Sequence, residues 1–213
     1  MAAAYTLYGS FLSSHTYKVG LMLALCGEAF DYRHVDLSRG EHKSPEFLAL
    51  NRFGQVPTIT HGDMSLCQSD SILEHIAQQT GKFAGATDEE RQRIREWLCW
   101  YADRLEPGIG RSRFFERFAK PDPAVAEFMR KVGETGLGVL NSLLEGRRFL
   151  VGERPTIADI GIYGAVVHME EARFDPAVWP NVKAWRERIA ALPGYRAPYD
   201  LLPKADQAGI RTL

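Results

Sequence analysis

Val56-Pro57-Thr58-Ile59-Thr60, then His61-Gly62-Asp63, then Met64-Ser65-Leu66-Cys67 reads as two short strands joined by a tight glycine-containing turn. Ser69 follows and opens a helix from Ile72 to Gln78, with Ile72, Leu73, Ile76 and Ala77 on one stripe and Gly81 as its stop. A hairpin followed at once by a helix is a ββα unit. Upstream, Tyr5-Thr6-Leu7-Tyr8 is β-prone, and Tyr17 to Cys26 is apolar enough for a helix buried on most sides, with Gly27 to end it. Phe30 to Val35 then alternates apolar and polar residues as a strand with one buried face does. The order is βαβ, then ββα, with a right-handed crossover between the parallel strands.

Downstream the pattern changes. Lys82 to Ala86 is short and weakly patterned, and the chain beyond it reads as helical. Thr87-Asp88-Glu89-Glu90 has capping-box spacing and opens a long helix carrying Ile94, Trp97, Leu98 and Tyr101 inward, until Pro107-Gly108 breaks or kinks it. Val125 to Leu144 keeps helical spacing but is interrupted by Gly133, Gly136 and Gly138. Pro155-Thr156-Ile157-Ala158-Asp159 is a second capping signal, heading a buried helix from Ile157 to His168. The expected organisation is an α/β domain over 1–81, a linker over 82–86 and an all-α domain over 87–213.

Composition narrows the function classes. The chain has 213 residues, with 26 basic and 27 acidic side chains mixed along it and a net charge of -1, so no global field draws it to nucleic acid or an anionic membrane. No basic leader precedes an apolar core at the start, and no run of about 18 apolar residues is present, so a cytoplasmic protein is expected. Cys26, Cys67 and Cys99 stand far apart without C-x-x-C or metal-ligand spacing, which argues against structural disulfides and a metal centre.

The chemistry is expected where the first strand turns into the first helix. Ser13 and Ser14 sit near a helix N-terminus, an end that stabilises anions, and either can also serve as a cap. The βαβ-ββα order matches the thioredoxin-like arrangement, whose site lies at this turn. Redox members of that fold hold C-x-x-C there; this chain has Ser13-Ser14-His15-Thr16, so any reactive sulfur must come from a bound thiol. Gly54-Gln55-Val56-Pro57 places an X-Pro bond at the start of a strand beside the site, where a cis proline could expose the Val56 backbone to a peptide-like ligand. Gln68 and Ser69 offer donors at a second helix N-terminus, and His42 or Lys43 could meet a further carboxylate.

Taken together, Gly40 to Phe47, Asn51, Phe53-Gly54-Gln55-Val56-Pro57 and Thr156-Ile157-Ala158-Asp159 resemble the cytosolic glutathione transferases, nearest the serine-type phi and zeta groups. The resemblance implies a thioredoxin-like domain followed by a helical bundle, glutathione as co-substrate, no metal, and a homodimer. It implies Ser13 as the thiol-activating hydroxyl, with Ser14 a competing choice. It also implies Val56 as the backbone partner of the cysteinyl part, Pro57 as the cis proline, and Gln68 and Ser69 as binders of the γ-glutamyl end. His42, Lys43 and Gln55 fall near the glycine carboxylate. The phi pattern carries glutamate where this chain has Gln68, and zeta-type sequences carry cysteine where it has His15.

The activity so implied is conjugation of the glutathione thiolate to small hydrophobic electrophiles. These would lie between the domains, against Phe11, Leu12, the helix around Trp100 to Arg104, Phe114 and Phe115, with Arg111, Arg113 and Arg117 as a solvated face or an anion-selective rim. Asp103 is a candidate for reaching a neighbouring subunit's glutathione or forming a surface ion pair. Alternatives are a glutathione-dependent isomerase, dehalogenase or peroxidase, and a non-catalytic binding module.

Overall fold

The computed structural model describes residues 3–210, and the chain forms two compact units. One contains the chain up to Lys82 together with the chain from Leu192; the other is Phe83–Ala191.

The first unit is built on β1 (Tyr5–Gly9), α1 (Ser14–Cys26), β2 (Phe30–His34), α2 (Pro45–Leu50), β3 (Thr58–His61), β4 (Met64–Cys67) and α3 (Ser69–Thr80). With β5 (Gln207–Ile210) the strands stand in the order β4-β3-β1-β2-β5, β1 and β2 parallel and the other pairs antiparallel. Leu7, Tyr32 and Ile59 are fully buried in its core. Every residue of α1 from Thr16 to Cys26 is buried, which accounts for its apolar surround. The exception in character is Lys18, fully buried and paired with Asp70 of α3 at 2.5 Å. A buried ammonium requires such a partner, so this pair fixes α1 against the start of α3.

The fifth strand corrects the expectation of a helical chain from 87 to 213. After α9 (Pro198–Leu201), residues Gln207–Ile210 form β5 and pair with β2. Gln207-Ala208-Gly209-Ile210 has little intrinsic strand character; side-chain carboxylates hold it in place. His34 N donates to Asp206 Oδ1 at 2.8 Å and Gly209 N to Asp31 Oδ1 at 2.8 Å, while Ile210 is buried. Upstream, Gly194 lies so close to α1 that a β-carbon there would come within 2.8 Å of the Ala24 carbonyl oxygen, and Tyr17 donates to the Arg196 carbonyl at 2.9 Å.

The second unit contains α4 (Asp88–Trp100), a π-helical turn (Tyr101–Leu105), α5 (Glu106–Arg117), α6 (Pro123–Leu143), α7 (Ile157–Val166) and α8 (Pro180–Ala190). Thr87 caps α4 by accepting from Glu90 N at 3.1 Å, and the Glu90 carboxylate accepts from Ala86 N at 2.7 Å, one residue earlier than a capping box requires. Pro107 does not end the helix. The π turn, closed by Glu106 N on the Tyr101 carbonyl, widens the ladder just where proline lacks an N–H. The glycines leave α6 unbroken, and two of them are contact points: a β-carbon on Gly108 of α5 would fall 2.2 Å from Gly133 N, and one on Gly136 2.8 Å from Leu105 Cδ1, whereas Gly138 has open space around it.

At the head of α7 the Thr156 and Asp159 side chains form a reciprocal capping box. Asp159 also accepts from Leu150 N at 3.0 Å and Trp185 Nε1 at 2.9 Å. Burial pushes its carboxyl up from the ordinary range, and the four N–H and O–H donors around it pull the other way.

Candidate active site

The residues expected from the sequence to activate the thiol and bind glutathione all lie in the first unit. Gly9 ends β1, and a β-carbon there would meet Thr16 of α1 at 2.2 Å, so the strand-to-helix turn closes only around glycine. Across the turn Ser13 N donates to the Ser10 carbonyl at 3.0 Å. Ser13 has extended backbone and is the N-cap of α1, accepting from Thr16 N at 3.2 Å. Capping uses the oxygen as an acceptor and leaves the O–H able to donate. A hydroxyl that already accepts a hydrogen bond is a stronger donor. Ser14 is the first residue of α1, and its hydroxyl makes no hydrogen bond among the described residues.

Asn51 organises the second part of the site. It is buried, donating from Nδ2 to the Gln55 carbonyl at 2.6 Å and to Thr58 Oγ1 at 3.0 Å, and accepting at Oδ1 from Phe53 N at 3.0 Å. One amide thereby fixes both ends of the loop that presents Val56. The Val56-Pro57 bond is cis, and the Val56 main chain has no hydrogen-bond partner among the described residues. Gly54 is at φ 56°, a β-carbon there would come within 2.9 Å of both the His42 carbonyl oxygen and Lys43 Nζ, and the Lys43 ammonium donates to the Gly54 carbonyl at 2.8 Å. Lys43 is therefore exposed yet drawn onto this loop. His42 Nδ1 is buried without a hydrogen-bond partner among the described residues.

The third part is the start of α3. Gln68 takes the left-handed region at φ 69°, rare for a residue with a side chain, and its Nε2 lies 3.4 Å from Gln55 Oε1. Ser69 is the first residue of α3, and its hydroxyl lies 3.4 Å from His15 Nδ1 of α1. The structure thus joins Gln55 to Gln68, Lys43 to the Gly54 carbonyl, and the Ser13-Ser14 turn to Ser69 through His15.

Asn51, His15 and the Lys18–Asp70 pair are the residues that sequence reading gave no role. A buried amide in a loop and a lysine in an apolar helix were the available signals.

The residues proposed for the electrophile divide. Phe11 and Leu12 lie in the Ser13 turn, while Trp100 to Arg104, Phe114 and Phe115 belong to the second unit. There Arg113 is buried and, with Arg117, meets Glu171, which also lies 3.0 Å from His168 Nδ1. Arg113 is therefore part of an interior ion cluster. Asp103 pairs with Arg104 at 2.8 Å on an exposed surface. Among the described residues no group of three or more His, Cys, Asp or Glu side chains could hold a metal, and no helix is long and apolar enough to cross a membrane.

A thioredoxin-like sheet with a serine at the α1 cap, a cis proline before β3 and a helical unit that follows β4 in the chain define the class. The glutathione S-transferase N-terminal domain family matches residues 3–78 and the C-terminal domain family residues 102–193; the chain belongs to the glutathione S-transferase family of enzymes. It is 32% identical to glutathione S-transferase 3 of Zea mays over 213 aligned positions, covering 92% of this chain and 94% of that protein. It is 34% identical to the disulfide-bond oxidoreductase YfcG of Escherichia coli, covering 76% and 80% respectively. Among solved structures, a glutathione S-transferase from Xanthobacter autotrophicus Py2 superposes with a TM-score of 0.86 at 34% identity, covering 92% of this chain and 98% of that one.

Proposed function

We propose that the chain conjugates glutathione to small electrophiles, with Ser13 activating the thiol. The observation that carries this reading is the Ser13 hydroxyl at the α1 cap, its oxygen already accepting from Thr16 N and its proton free to face a sulfur. The unpartnered Val56 main chain pairs with the cysteinyl part of the tripeptide. Gln68 and Ser69 at the start of α3 bind the γ-glutamyl carboxylate, and His42, Lys43 and Gln55 lie toward the glycine carboxylate.

A free thiol titrates at about 8.5, so about 3% is thiolate at pH 7. Lowering this by about two units requires about 2.7 kcal/mol of preferential thiolate stabilisation, within reach of one charge-assisted hydrogen bond and a helix N-terminus. The thiolate then attacks an electrophilic carbon and a C–S bond forms. In displacement, the carbon–leaving-group bond breaks and its electron pair departs with the leaving group. In addition to an activated alkene, the pair moves into the conjugated acceptor, which then takes a proton from water. Ser13 remains uncharged, a stabiliser of the thiolate and not a covalent nucleophile.

An ultraviolet difference titration of glutathione into the protein at neutral pH tests this. A saturable thiolate band supports an activating enzyme; calorimetric binding without that band favours a non-catalytic module.

The 34% identity to a disulfide-bond oxidoreductase supports a second reading, glutathione-dependent disulfide reduction. The same thiolate would attack a disulfide sulfur and release a substrate thiol, and a second glutathione would resolve the mixed disulfide as oxidised glutathione. Turnover of a small disulfide in the absence of any carbon electrophile, with oxidised glutathione as product, separates the two. The protein acts in the cytoplasm as a homodimer on this proposal, and a monomer mass in sedimentation at micromolar concentration would remove the dimer from it.

A further inference from the structure

The last strand brings one charge to the site edge of the sheet. β5 runs antiparallel to β2, with Gln207 opposite Tyr32 and Ile210 opposite Phe30. Stepping back from Gln207 along the chain therefore runs past the carboxyl end of β2: Asp206 meets the His34 N–H, and Lys204 lies beyond. The carboxyl ends of β2 and its parallel neighbour β1 form the edge on which the Ser10–Ser13 turn stands. The Lys204 ammonium lies 5.6 Å from the centre of the Phe11 ring, and that ring faces the His34 imidazole at 5.7 Å. Asp206 is met by Arg33 at 3.4 Å, whereas Lys204 has no anionic partner among the described residues. An ammonium held on an aromatic face keeps its charge available to an anion while the ring limits where it points.

We infer that Lys204 is a specificity residue that selects electrophiles carrying a carboxylate. The inference rests on the glutathione-conjugating reading above. Phe11 is two residues from Ser13, at most about 7 Å of chain. A ring bonded to a sulfur at Ser13 can therefore lie against Phe11, and an acidic substituent on that ring then meets Lys204. The pairing is solvent-exposed, so its contribution is that of a surface ion pair, about threefold to fivefold in affinity, and salt weakens it.

Calorimetry on the full chain with two probes, S-benzylglutathione and S-(4-carboxybenzyl)glutathione, tests this without requiring turnover. The affinity ratio of the carboxylated to the plain conjugate should fall about threefold to fivefold in Lys204→Gln and further in Lys204→Glu, with the parent's ratio shrinking in high salt. An unchanged ratio overturns the inference and leaves the conjugating reading intact. Equal weakening of both conjugates also overturns it, because Lys204 would then serve the tripeptide. If the parent binds neither conjugate, the glutathione reading fails and the specificity role falls with it.

Discussion

Replacing Ser13 by alanine removes two interactions that differ in kind. The first is the cap on Thr16 N, seen at 3.2 Å, whose loss destabilises the helix by about 1 kcal/mol. The second is the proposed bond to the glutathione sulfur. A hydrogen bond to a charged acceptor contributes about 1.5–3 kcal/mol, and one pKa unit corresponds to about 1.4 kcal/mol, so losing it raises the bound thiol by about one to two units. With the parent's bound thiol near about 6.5, roughly three quarters is thiolate at pH 7; the variant should retain about 3–25%. Ultraviolet titration of saturated complexes across pH measures that fraction, and urea denaturation measures the cap. Ser13→Asp separates the two effects, since its carboxylate keeps a capping oxygen and has no proton to donate: it should recover stability and not thiolate. A Ser13→Ala complex whose thiol titrates with the parent's, or an equivalent loss in Ser14→Ala alone, would refute the assignment.

Asn51→Leu leaves the Phe53 N–H, the Gln55 carbonyl and Thr58 Oγ1 without their side-chain partner, and should cost about 2–4 kcal/mol in denaturation while weakening glutathione binding through the Val56 loop. Burial holds the His168 imidazole below its ordinary value, and the Arg113 and Arg117 charges act in the same direction against the pull of Glu171. A base depressed in the folded state contributes stability that is full above its unfolded pKa of about 6.5 and is lost as pH falls through the folded value. Denaturation midpoints between pH 7.5 and 5.5 should therefore fall less steeply for His168→Gln than for the parent.

Local rules made much of the first unit legible. Glycine stops at Gly27 and Gly81, the glycine turn at Gly62 and the hydroxyl caps are each decided within a few residues, so the Ser13 turn and the β3–β4 hairpin could be placed from the chain alone. What sequence could not supply were features created by distant partners. β5 exists because Asp31 and His34 of β2 meet residues more than 170 positions away. Gly133 looks like a helix breaker until Gly108 of another helix is set against it. Asn51 falls between these cases: its place in the loop could be quoted, but its three hydrogen bonds depend on a fold already formed.

The return of the chain to the first unit has a consequence for the order of assembly. The helical unit, Phe83–Ala191, is an insertion between two parts of the same sheet-bearing body. A ribosome delivers β1 to β4 first, yet the outer edge of β2 stays open until the entire insertion has emerged and β5 can follow. An early-folding sheet of this kind presents unpaired backbone to other nascent chains for the length of that delay. Lys204 arrives in that same final stretch, so the edge is closed and the charge beside Phe11 installed together, late in synthesis.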